Sequence, residues 1–345
     1  MRLECERRTL ALASPLRTAH GELAERTLLQ VTITGEDGVI GHGEAAPLPA
    51  YDGSDTDAVE RALHSYRPVL AAAEREEMHG AAVIDACRAL DPLPQALAAI
   101  DLALWDRAGR RAGQPVAALL TDTPAPSVTV NATLTALDRA GVAAQAHAAA
   151  REGFSCVKVK VGIGDDAGRV AAARAGAGPE MALRLDANGA WDVEQAVRAI
   201  EALAPAGLEL VEEPARGLGA VRAVRERVPV RVAIDETSAE PGALGAGVAD
   251  AVCLKISRCG GIGALLVAAT LVRTAGAEVY LASTLDGPLG IAASLHAAAA
   301  LASRGELPPC GLATLGLFSG VRDPLAASGG EIALPTAPGL GVEPL

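Results

Sequence analysis

Between residues 156 and 255 the chain reads CVKVK (156–160), ALRLD (182–186), LELVE (208–212), VRVAID (230–235) and AVCLK (251–255). Each run is short and mostly apolar and ends on a charged residue, at positions 160, 186, 212, 235 and 255. Spacing of about one strand plus one helix per interval is the repeat of a parallel βα sheet. Working outward, similar runs occur at 128–133 and 278–282, with a weaker eighth near 310–313. Ala-rich helical stretches fall between them, at 136–151, 193–203, 219–227 and 263–274. Eight strands alternating with helices over about 190 residues fit a closed (β/α)8 barrel. An open doubly wound sheet would show the same local alternation; the count of eight selects the barrel.

Upstream the grammar differs. Residues 2–12 alternate loosely, 28–34 (LQVTITG) are β-rich, and 35–38 (GEDG) read as a turn. From 55 to about 119 the periodicity turns helical, with N-cap residues in SDTDAVERALHSY and a stop at Gly113 and Pro115. A small α+β unit therefore precedes the barrel, the boundary falling near TDTPAPS (121–127), where two prolines interrupt both periodicities.

Composition limits what such a fold can do. The 30 Lys and Arg against 42 Asp and Glu leave a net charge of −12, and aromatics are only 2%. A nucleic-acid or anionic-membrane partner is not expected, since it needs a basic face or stacking rings. The N-terminal MRLECERRTLALAS lacks a continuous apolar segment, and six scattered cysteines form no CxxC pair. Those features lead us to expect a reduced, cytoplasmic protein.

The strand-end charges carry the chemistry. In a barrel the C-terminal strand ends converge on one mouth, so Asp186, Glu212 and Asp235 would meet there. Three carboxylates in a partly dry site repel one another, and a hard divalent cation such as Mg2+, with Mn2+ as a substitute, relieves that. Lys158 and Lys160 share one strand face, and Lys255 ends a strand on the far side of the acids. Lysine, carboxylate-held metal and lysine suit abstraction of a proton α to a carboxylate, the metal absorbing the charge of the enediolate. A lysine base must become neutral near pH 7, and a neighbouring ammonium together with the metal can bring that about.

In order and spacing, VKVKVG (157–162), RLDANGAW (184–191), VEEP (211–214), AIDET (233–237) and LKISRCGGI (254–262) resemble the enolase superfamily, in its muconate-lactonizing subgroup. GHGEAAPLPAYDG (41–53) and AIDLALWDRAGR (99–110) are similar to that family's capping domain. The resemblance implies an α+β capping domain over 1–120, a barrel over 121–320, and a C-terminal 321–345 packing back on the cap. It implies Asp186, Glu212 and Asp235 as Mg2+ ligands, Lys160 as general base, Lys255 as the opposing lysine and Lys158 as the neighbour that tunes the base. Asn188 and Glu236 would support the ligands. AIDET departs from the commoner D-E-S, which leaves the part played by Thr237 open, and Asp286 stands where relatives often carry Glu.

Within that family VNATL (130–134), the stretch 281–302 and CGLATLGLF (310–318) resemble the o-succinylbenzoate synthases, which act in menaquinone synthesis. Dipeptide epimerases of the subgroup carry Asp-x-Asp on the eighth strand for the substrate ammonium; here GLATLG offers no acid before Asp323. The implied partner is a small carboxylate, its succinyl tail held by Ser283, Thr284 and the Gly260–Gly261 backbone. Loops at 17–21 and 51–53 would close the mouth, where Arg17 or His20 could meet a carboxylate. Racemisation of N-succinyl amino acids, dipeptide epimerisation and muconate cycloisomerisation use the same constellation and stay open at this point. So does a distant reading as a nicotinamide-dinucleotide oxidoreductase, from Gly162, Gly164 and Ala167 with Asp186 downstream. Asp165 and Asp166 would repel the pyrophosphate there.

Overall fold

The computed structural model describes residues 1–19 and 21–345; His20 lies outside them. Strands Arg2–Thr18 and Gly21–Thr34 pair antiparallel, and Ile40–Ala45 extends the sheet beyond the second. The first strand runs further than its alternation suggests, through a register break between Ala11 and Leu16. Helices Thr56–Ala73, Gly80–Leu90 and Pro94–Ala112 follow. Leu29, Val31 and Ile33 share one face of the second strand and join Val59, Leu63, Tyr66 and Ile100 in one core. The last helix lies against the third strand so closely that a Cβ on Gly43 would stand 2.0 Å from the Ala99 carbonyl, which is why that strand carries glycine.

The second part is a curled, seven-stranded parallel sheet with helices outside it. In spatial order its strands are Ala132–Leu134, Cys156–Lys160, Ala182–Asp186, Leu208–Glu212, Arg231–Ile234, Ala251–Leu254 and Glu278–Leu281. Val157, Val159 and Val161 are buried in the larger core, and Lys158 and Lys160 occupy the alternate positions. The expected run at 128–133 divides. Ser127–Thr129 pairs antiparallel with Glu331–Ala333, and only Ala132–Leu134 joins the parallel sheet.

The expected eighth strand is reduced to single bridges. Cys310 bridges Val130 and Gly311 bridges Ala282, so this short piece touches both edges of the seven-stranded sheet. Pro308 and Pro309 lack the N–H groups a longer ladder would use. After the fifth strand only 3-10 turns occur, at Glu236–Ala239 and Ala243–Gly245, because Pro241 and Gly242 break any helix there. Near the end of the chain, Gly339 exchanges backbone hydrogen bonds with Gln114 and Val116, and Leu340 N donates to Asp106 Oδ1 at 2.7 Å. Among the described residues no helix is long and apolar enough to cross a membrane.

Candidate active site

Alternation along Cys156–Lys160 puts both lysine side chains on the inner face, under the mouth formed by the strand ends. Lys158 Nζ lies 2.8 Å from Asp186 Oδ2 and donates to both oxygens of Glu212 at 2.7 and 2.8 Å. Lys160 Nζ donates to Asp186 Oδ2 at 2.6 Å and Asn188 Oδ1 at 2.8 Å. Lys255 follows the strand Ala251–Leu254, which three strands separate from Cys156–Lys160, and donates to Asp235 Oδ2 at 2.6 Å. Lys158, Asp186, Glu212, Asp235 and Lys255 are all buried, and Lys160 is half-buried.

Charge is balanced by these pairings. Burial works against the charged forms of Lys158 and Lys255, but Asp186 and Glu212 beside the first, and Asp235 beside the second, hold both amines above their ordinary range. Burial likewise opposes the Asp186 carboxylate, and Lys158 and Lys160 override it, holding the group well below the usual carboxylate value. Glu212 is pushed up to about 7 by burial and by Asp186, with Lys158 opposing. The expectation that Lys158 acts chiefly as a neighbour of Lys160 thus meets a different arrangement: its ammonium sits between Asp186 and Glu212.

The supporting groups form a second layer. Asn188, at φ 46°, takes its N–H to Asp186 Oδ1 at 3.0 Å and its Nδ2 to Glu236 Oε1 at 3.1 Å. Thr237 donates its hydroxyl and its N–H to Glu213 Oε1, and Glu213 Oε2 accepts from Asp235 N at 2.7 Å. Burial, then Glu236, raises the Glu213 carboxyl to about 8. That network gives Thr237 its role: it anchors the turn behind Asp235.

Ser283 and Thr284 both line the cavity above the lysines. Ser283 Oγ lies 2.8 Å from Thr314 Oγ1, and Thr284 Oγ1 donates to Asp286 Oδ1 at 2.8 Å. Gly260 and Gly261 do not join them. Both have positive φ and face helix Pro94–Ala112, and a Cβ on Gly261 would meet the Asp101 side chain at 2.3 Å. Their glycines serve close packing, so the expected contact with a succinyl tail has no geometric basis. Arg17 is exposed, opposite Glu22 in the hairpin. Leu16, Leu23, Leu48, Leu285 and Leu317 form the apolar wall of the cavity.

The loop at 51–53 is expected at the mouth, but the partners of Tyr51 are not, and Tyr280, Glu213 and Cys253 are given no role by the sequence reading. Tyr51 donates its hydroxyl to Asp235 Oδ1 at 2.5 Å and accepts from Lys255 Nζ at 2.7 Å and Arg258 at 2.8 Å. Tyr280 OH donates to Glu212 Oε2 at 2.6 Å. Glu213 lies within the quoted VEEP, which was its only signal. Cys253 belongs to a group with Glu212 and Asp235 whose ligand atoms all lie within 4.8 Å of one another.

The donor chemistry fits a hard dication: carboxylates on three neighbouring strand ends, each paired with a lysine ammonium, and Glu212 also accepting from the Tyr280 hydroxyl. The tightest triad is Glu212, Asp235 and Cys253, whereas Asp186 turns its Oδ2 toward Lys158 and Lys160.

A family model for the enolase C-terminal domain-like fold matches residues 141–345, and one for the mandelate racemase/muconate lactonizing enzyme N-terminal domain matches residues 3–121. The chain therefore belongs to the enolase superfamily, in its mandelate racemase/muconate-lactonizing branch, and is an enzyme of that group. Muconate cycloisomerase 1 of Rhodococcus opacus is 31% identical over 350 residues, 96% of this chain and 92% of that protein. The o-succinylbenzoate synthase of Thermobifida fusca is 40% identical over 208 residues, 56% of this chain and 63% of that one. A dipeptide epimerase from Enterococcus faecalis, solved with Mg and the dipeptide L-Leu-L-Tyr, superposes with a TM-score of 0.87 at 27% identity, covering 99% and 98% of the two chains.

Proposed function

We propose that this chain is a Mg2+-dependent carbon–oxygen lyase of the o-succinylbenzoate synthase type, removing water from 2-succinyl-6-hydroxy-2,4-cyclohexadiene-1-carboxylate. One observation carries the reaction class: Lys160 and Lys255 line one cavity from strands on either side of Asp186, Glu212 and Asp235. Bound by those three carboxylates, Mg2+ would supply Lewis-acid stabilisation of the charge that builds on the substrate carboxylate.

The chain's own residues do the rest. Lys160, as the free amine, takes the proton α to the ring carboxylate, and the C–H electron pair moves into the ring. The ring C–O bond to the hydroxyl breaks, and the Lys160 ammonium returns its proton to the leaving oxygen, so water departs and the ring becomes aromatic. Asn188 and Asp186 hold the Lys160 amine at a fixed place. Lys255 keeps a positive charge on the opposite side, beside Tyr51. The leucine wall excludes water from the ring, and the Ser283 and Thr314 hydroxyls offer hydrogen bonds to the succinyl group.

One point supports the synthase over a dipeptide epimerase. The eighth-strand region contributes Gly311, Thr314 and Leu317 to the cavity and no acid for an α-ammonium, while Asp286 is buried against Thr284. N-succinyl amino acid racemisation is the second reading. An acylated nitrogen is uncharged, and two lysines on two sides suit removal of a proton from one face and its return to the other.

The test is a comparison of kcat/KM for the cyclohexadiene substrate with values for N-succinyl amino acids, free dipeptides and muconate, all with Mg2+. The synthase reading expects the first to exceed the rest by at least about tenfold, a transition-state difference of about 1.4 kcal/mol. A higher value for any other substrate reassigns the reaction.

A further inference from the structure

Cys253 occupies the inward position two residues before Lys255, is 1% exposed, and carries a free thiol. Among the described residues that thiol has no hydrogen-bond partner, although it is aimed at two carboxylates. One oxygen of Glu212, one of Asp235 and the Cys253 sulfur all lie within 4.8 Å of one another. An ion bonded at about 2.0 Å to oxygen and about 2.3 Å to sulfur spans such a set once the side chains close by about half an ångström.

The donor type decides which ions profit. Mg2+ keeps to oxygen ligands, and a sulfur contributes nothing to holding it. Zn2+, Co2+ and Cd2+ accept carboxylate and thiolate together. Asp186 is drawn away toward Lys158 and Lys160, so a soft or borderline ion finds its third protein ligand in Cys253.

We propose that Glu212, Asp235 and Cys253 form a distinct binding mode for thiophilic divalent ions, overlapping the site that holds Mg2+ but not sharing its full ligand set. Coordination forms one metal–sulfur bond, and the thiol proton passes to solvent. Because two carboxylates are common to both modes, a thiophilic ion competes with Mg2+ and blocks turnover. The inference rests on Glu212 and Asp235 being dication ligands.

Co2+ reports directly on the sulfur. Adding Co2+ to the purified full chain should produce a sulfur-to-cobalt charge-transfer band in the near ultraviolet, which excess Mg2+ diminishes. In Cys253→Ser the band should vanish and the Co2+ Kd rise by at least about tenfold, while the Mg2+ Kd from calorimetry stays within about twofold. Cys253→Ala gives the same pattern and guards against a serine-specific effect. Absence of the band in the wild-type protein, or its persistence in both variants, overturns the proposal. Failure of the wild-type chain to bind Mg2+ at all overturns instead the underlying reading of Glu212 and Asp235.

Discussion

Tyr280 donates its hydroxyl to Glu212 Oε2 at 2.6 Å, and the Arg184 guanidinium lies 4.9 Å from the centre of its ring. Arg184 is itself clamped by Glu209 at 2.7 and 2.9 Å and by the Pro309 carbonyl at 2.6 Å. The barrel interior thus relays position from its lower layer to a carboxylate in the reaction site. Tyr280 touches no reacting atom; it is a positioning residue that fixes one oxygen of Glu212, the carboxylate that would help to hold the proposed Mg2+.

Removing only that hydroxyl isolates its effect. Tyr280→Phe keeps the ring beneath Arg184 and should weaken Mg2+ binding by about tenfold, the scale found for groups that orient metal ligands. Calorimetric titration reads the Kd, and thermal unfolding checks that the fold survives. An unchanged Kd would confine Tyr280 to packing.

Gly261 separates a structural role from a substrate-binding one. Its φ is 108°, and an added Cβ would meet Asp101 at 2.3 to 2.5 Å. The Asp101 carboxylate accepts from Ile262 N at 2.6 Å, joining the helix Pro94–Ala112 to the barrel. Gly261→Ala should cost about 1–3 kcal/mol from backbone strain alone, with the clash adding to it. Denaturant unfolding measures the loss, and KM of the folded fraction should not move. A raised KM with unchanged stability would restore the glycine to the substrate site.

His296 gives stability an acid-side dependence. It is fully buried, accepts from Ala117 N at Nδ1, and therefore donates from Nε2 to the Leu340 carbonyl at 3.1 Å. Burial lowers its pKa from 6.5 to about 4, the bond to Leu340 opposing. The unfolded chain takes up the proton near 6.5 and the native chain only near 4, so this contribution is full above pH 6.5 and is lost as pH falls toward 4. Between pH 7 and pH 5 the loss is about 2 kcal/mol. Urea unfolding of the wild type and His296→Gln at both pH values should show a shallower acid slope in the variant; parallel slopes would remove His296 as the cause.

Much of this arrangement was legible because it is local. The valines of CVKVK and the lysines between them fix which face is inward, and the recurring strand-end charges place Asp186, Glu212 and Asp235 near one mouth. The expected eighth strand does not form as a ladder, since Pro308 and Pro309 allow only bridges at Cys310 and Gly311. No helical stretch is read after the fifth strand, and only 3-10 turns form there, around Pro241 and Gly242. The loop at 51–53 is legible as part of the mouth, but the bond from Tyr51 to Asp235 spans 184 residues of chain and leaves no mark in the sequence. Cys253 and Tyr280 looked like ordinary strand residues; what sets them apart is the direction of a side chain inside a curled sheet. Gly260 and Gly261 misled because a glycine pair beside a catalytic lysine reads equally as a ligand cradle or as close packing, and only the neighbouring Asp101 decides.

In the proposed reaction a dication held by Asp186, Glu212 and Asp235 and the amine of Lys160 together remove a proton α to a carboxylate. Turnover of the cyclohexadiene carboxylate and of the N-succinyl amino acids, followed with Mg2+, with chelator and in Lys160→Ala, tests it most directly. The expected result is turnover of at least one of them with Mg2+, none after chelation, and a kcat lowered by about a thousandfold or more in Lys160→Ala. Turnover that survives either chelation or the loss of Lys160 would contradict it.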